Sequence, residues 1–80
     1  MASWWVEYSQ EAANYLDDNG ALVASLFFAI EALAESEGIP IDGATQIEPG
    51  VFLFEPERHT VVYERDESRQ IVRVTIIRPK

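Results

Sequence analysis

The sequence predicts an α+β domain in the order β-α-α-β-β-β: an antiparallel-meander sheet with two helices packed on one face. Three observations carry this expectation. Short aromatic and β-branched runs with two-residue alternation stand at the beginning and towards the end of the chain. Two segments between them repeat their apolar residues at helical spacing. Gly, Pro, Asn and Asp punctuate the junctions.

Residues 4–8 form the first strand, with Trp4, Val6 and Tyr8 on one face and Trp5 and Glu7 on the other. Ser9 is a suitable N-cap for a helix over residues 10–17, and Glu11 in its first turn suits the helix dipole. Asp18-Asn19-Gly20 ends that helix, since Asn or Gly accepts the left-handed conformation that closes it. A second helix is expected over residues 21–36. Leu22, Leu26, Ala29 and Leu33 make one stripe, and Val23, Phe27, Ile30 and Ala34 make another beside it. Phe28 lies further round, so the apolar arc is wider than one flat sheet covers. Two explanations stand: burial between the sheet and the first helix, or a flank that receives another chain.

Residues 37–49 read as a loop, punctuated by Gly38, Pro40, Gly43 and Pro49. Three strands follow, over residues 51–54, 60–64 and 70–78, with Pro56 marking a turn or an edge bulge. In the last strand Val72, Val74 and Ile76 are expected to face the helices, and Ile71, Arg73, Thr75 and Ile77 the open side. Val61 and Tyr63 fall on one face of the strand before it, Thr60, Val62 and Glu64 on the other. A lone first strand is unstable, so it joins the same sheet.

Eighty residues make one domain, 1–80, with a small core and, lacking cysteine, no disulfide or thiolate metal site. Charge is strongly divided. Residues 1–57 hold eleven carboxylates and no Lys or Arg, whereas residues 58–80 hold all six cations and three acids. The net charge of −8 and the pI near 4.4 oppose general binding to duplex DNA, which needs cations to displace counterions. No run approaches the roughly 20 apolar residues of a membrane span. The first five residues lack the basic and apolar regions of a signal peptide, so a cytoplasmic protein without membrane contact is expected.

Several segments together resemble the RelE/ParE toxin superfamily of toxin–antitoxin, plasmid-stabilisation systems. Val6-Glu7-Tyr8-Ser9-Gln10-Glu11-Ala12 is similar to the family's opening strand and helix cap. Phe28-Ala29-Ile30-Glu31-Ala32-Leu33-Ala34 resembles its second helix, and Pro49-Gly50-Val51-Phe52-Leu53-Phe54 the start of its second strand. Thr60 to Glu67 and Ile71 to Ile77 resemble the last two strands. The resemblance implies ribosome-dependent mRNA cleavage or gyrase poisoning, and a silencing antitoxin partner. The family's catalytic lysines in the second strand have no counterpart in Val51-Phe52-Leu53-Phe54-Glu55, and Thr60 stands where an arginine usually opens the third strand. Cations are needed there because in-line attack on a phosphate builds negative charge that must be stabilised.

The expected function is therefore a small acidic protein of this fold, non-catalytic, acting by protein contact with an antitoxin-like segment or a second copy. Trp5, Phe27, Phe28 and Arg73 are the expected contacts. The alternatives are a divergent mRNA endonuclease, with the ribosome as partner, using Arg58, His59, Arg73 and Arg78, or an acidic nucleic-acid mimic that binds a basic protein. Arg73 and Arg69 could instead pair across strands with Glu64 or Glu55. No cofactor is expected, nor a metal, because one histidine and no alternate-oxygen loop build neither zinc nor calcium sites.

Overall fold

The computed structural model describes residues 4–80, apart from the side chain of Leu22, and shows a mixed α+β domain of two helices and a five-stranded sheet. Met1, Ala2 and Ser3, and the Leu22 position in the first helical stripe, lie outside the described residues. Strands β1 (Trp5–Tyr8), β2 (Thr45–Glu48), β3 (Val51–Phe54), β4 (His59–Asp66) and β5 (Ile71–Pro79) stand in the order β1-β5-β4-β3-β2. β1 runs parallel to β5, and every other neighbouring pair is antiparallel.

Helix α1 (Gln10–Asn19) starts at Ser9, whose Oγ accepts from the Ala12 backbone N–H at 3.1 Å. The same hydroxyl donates to the Thr75 carbonyl at 2.7 Å, which ties the helix start to β5. Gly20 closes α1 with φ +44°, a left-handed value that costs glycine little. The second expected helix is shorter and segmented. A 3-10 turn over Gly20–Val23 leads into α2 (Ala24–Glu31), and a second 3-10 turn over Ala32–Ala34 follows. No side chain caps α2, so its entry relies on packing of Val23 and Leu26.

The core lies between the helices and one face of the sheet. Ala12, Leu26, Ile30 and Leu33 meet Trp4, Val61, Tyr63, Val72 and Val74, all buried. Val61 and Tyr63 share the inner face of β4 as their alternation predicts. In β5 the alternation breaks. The β4–β5 register passes from Val62 opposite Ile76 to Tyr63 opposite Val74, so Thr75 is an extra residue in a bulge. Beyond it the faces exchange, and Ile77, not Ile76, enters the core opposite Val61. The Thr75 carbonyl at this bulge is the one that Ser9 satisfies.

The expected loop over residues 37–49 contains strand β2, which corrects the four-strand expectation. Its pairing with β3 across Pro49-Gly50 forms a hairpin, and Gly50 has the φ of +78° that such a tight turn uses. All four β2 residues are exposed. The rest of the loop is tied down from β4. The Tyr63 hydroxyl donates to the Gly38 carbonyl at 2.6 Å, and Arg65 Nε donates to the Glu37 carbonyl at 2.6 Å. The Arg65 guanidinium also lies over the Trp4 ring, 4.8 Å from its centroid.

Candidate functional site

Two places gather the residues that the sequence singles out. The first is a groove between α1 and α2. Tyr8, Leu16, Val23, Phe27 and Phe28 are among its walls, and Asp17 is its one charged lining residue, around a space of about 400 Å³. Tyr8 comes from the inner face of β1 and its hydroxyl donates to the Glu31 carboxylate at the end of α2. Burial, then the hydrogen bond and charge of Glu31, push the Tyr8 phenol well above the ordinary tyrosine range, so it stays a neutral donor. Tyr8 stacks on Phe27 with 6.4 Å between ring centroids, and Phe27 meets Phe28 edge-on at 5.9 Å. These rings form a row along one wall. Phe28 is 70% exposed, and Phe27 is 39% exposed.

The outward face of α2 is unlike that of an ordinary surface helix. Its exposed residues are Ala24, Ser25, Phe27 and Phe28, none of them charged. A helix facing only water normally carries a polar stripe there. The two sequence explanations of the wide arc therefore divide by residue: Leu26 and Ile30 cover the sheet, while Phe28 faces solvent.

Of the two acids that end α1, only Asp17 lines the groove. Asp17 and Asp18 occupy the last turn of α1, where the backbone dipole is itself negative, and no basic residue stands in that turn.

The second place is the corner where β4 begins and β5 ends. His59 faces Pro79 and Thr60 faces Arg78 in the ladder, and the Lys80 N–H donates to the Arg58 carbonyl at 3.0 Å. Arg58, His59, Arg78 and Lys80 are thereby gathered. His59 Nδ1 stands 2.8 Å from the Glu57 carbonyl, which only accepts, so Nδ1 carries the proton. In the neutral ring Nε2 is then the acceptor for the Tyr15 hydroxyl, also at 2.8 Å. Both ring nitrogens are thus engaged within the chain. Arg78 lies 3.7 Å from Glu11, and Lys80 lies 3.1 Å from Glu55. The two residues before His59 hold left-handed backbone, Glu57 at φ +51° and Arg58 at φ +62°.

Arg73 does not join this corner. It sits on the outer face of the sheet, between Glu7 and Glu64 in the ladder, roughly 15 Å along β5 at the usual strand rise. Trp5, 54% exposed, shares that outer face and donates from Nε1 to Glu7 at 3.1 Å. The four expected contacts therefore divide between two faces, Phe27 and Phe28 on the helical side and Trp5 and Arg73 on the other. Arg65 and Arg69 lie at the far end of the β4–β5 hairpin. There Asp66 accepts from the Arg69 backbone N–H and the Ser68 hydroxyl, which hold its carboxyl below the usual range.

Tyr15 is the residue that sequence reasoning missed. It is 44 positions from His59, and only the packing of α1 over β4 brings them together. Asp17, likewise, has no local sequence signal that places it in a groove. Among the described residues no three His, Asp or Glu side chains converge as a metal site, and no helix is long and apolar enough to cross a membrane. Compared with known proteins, the chain matches no family model, no curated protein and no solved structure.

Proposed function

We propose that this protein is a non-catalytic acidic domain that acts by protein contact, on a scaffold similar to that of the RelE/ParE superfamily. The observation that carries the reading is the outward face of α2, which exposes Phe27 and Phe28 and no charge. Contiguous exposed aromatics on an ordered helix are what a protein interface uses as anchors. The scaffold part rests on the residue resemblance and on a first strand that pairs parallel with the last, beside an antiparallel run. The partner is an antitoxin-like segment rather than the ribosome.

The non-catalytic part rests on the corner residues. Arg78 and Lys80 have carboxylate neighbours, and Arg73 is distant. β3, the strand that resembles the one with catalytic lysines, is Val51-Phe52-Leu53-Phe54 and uncharged. Expression in bacteria is expected to leave growth and mRNA length distributions unchanged. Growth arrest with new mRNA 5′ ends, lost in His59→Ala and Arg78→Ala, would establish the endonuclease instead.

A further inference from the structure

We infer that the groove between α1 and α2 takes a cationic amphipathic helix, which lays apolar side chains along Tyr8, Phe27 and Phe28 and sets Lys or Arg beside Asp17. This deepens the protein-contact reading and rests on it. Shape and charge point to the same occupant. The groove is apolar along its length and lies beside the uncharged face of α2, so its counterpart needs an apolar stripe. Stripes at helical spacing are the usual way a segment fills such a groove.

The sign of the partner follows from α1. Asp17 stands at the negative end of a helix dipole, which repels it, and α1 has no basic residue in its last turn to offset that. The cations of this chain all come after residue 57, and none lines the groove. A positive side chain from outside relieves this repulsion at the moment the apolar stripe is buried. A second copy of the chain answers the apolar requirement but brings a further charge of −8, and so is disfavoured.

The test uses the full chain and two synthetic peptides of about 20 residues, beyond the length at which isolated helices are marginal. Both carry Leu at helical spacing; one has Lys on its polar face and the other Glu in the same positions. Titration by calorimetry is expected to show saturable one-to-one binding of the Lys peptide, weakened by added salt, and much weaker binding of the Glu peptide. Phe28→Asp makes the protein more negative, so mere charge attraction would strengthen with it. Groove binding is instead expected to fall roughly tenfold or more. Asp17→Lys is expected to shrink the preference for the Lys peptide.

Equal binding of both peptides, with loss in Phe28→Asp, would overturn the cationic partner and leave the protein-contact reading standing. Tighter Lys-peptide binding in Phe28→Asp would overturn the groove. Binding of neither peptide would overturn the inference. So would a dimer, seen by light scattering, that Phe28→Asp dissociates and the Lys peptide does not.

Discussion

Removing the Tyr63 hydroxyl tests how the loop after the helices is held to the sheet. The ring of Tyr63 has no solvent exposure, and Phe52 and Phe54 pack on it with centroids 5.6 Å away. Its hydroxyl donates to the Gly38 carbonyl at 2.6 Å, a buried bond joining β4 to the chain just beyond Ala32–Ala34. Tyr63→Phe keeps the ring and its packing and deprives that carbonyl of its donor. The expected loss is about 1–3 kcal/mol, the usual cost of leaving a buried group without its partner. For a domain of this size it lowers Tm by about 4–8 °C for each kcal/mol.

The loss has a pH dependence whose sign is fixed. Burial pushes the Tyr63 phenol up to about 12 from its ordinary value near 10, while the Arg65 charge acts in the opposite sense. A folded pKa raised in this way contributes stability that is complete below about pH 10 and lost as pH rises towards 12. The Phe variant has no such group. The difference between the two proteins is therefore expected to narrow across that window. Urea denaturation followed by circular dichroism at a series of pH values reads both effects. A difference below about 0.3 kcal/mol at neutral pH, or a gap that widens above pH 10, would refute the reasoning.

Two further substitutions probe the α1 cap and the loop after the helices. Ser9→Ala removes both the α1 cap and the bond to the Thr75 bulge. It is expected to cost about 0.5–2 kcal/mol in urea denaturation, and to speed amide hydrogen exchange in the first turn of α1. Gly38→Ala places a methyl 3.0 Å from Arg65 Cδ at a φ of +80°. Its expected cost in thermal unfolding is about 1–3 kcal/mol; adding Arg65→Ala relieves the steric part and leaves the backbone part.

Much of the fold was legible because period and capping agree locally. Ser9 reads as a cap from its place before an apolar repeat, and it caps α1. Val61 and Tyr63 read as one face of a strand, and both are core residues. The departures arise where long-range geometry overrides local pattern. A bulge at Thr75 exchanges Ile76 for Ile77 in the core, and nothing in the alternation of β5 announces it. β2 was missed because Thr45-Gln46-Ile47-Glu48 has one strongly apolar residue and is fully exposed. Its signal is the Pro49-Gly50 turn leading into Val51, a hairpin cue that also suits the end of a loop.

The candidate site was legible in part for the same reason. The excess apolar arc on the second helix was visible, and so was the charge division. That Phe28 is open to solvent while Ile30 is buried depends on where α1 and the sheet lie. The placement of Trp5 and Arg73 on the opposite face follows from strand alternation, whereas which face the helices cover depends on packing. Tyr15 and His59 meet only through packing, so no local pattern could pair them.

The central claim is that the face of α2 and the apolar groove beside it, with Asp17 in its wall, form one binding surface for a cationic helix. Amide chemical shifts of the labelled protein, followed while the Lys peptide is added, test it most directly. The account predicts shifts concentrated at Tyr8, at residues 13–20 and at residues 23–28, with little change around His59, Arg78 and Lys80. Shifts centred on the β4–β5 corner, or on the outer face around Trp5 and Arg73, would contradict it.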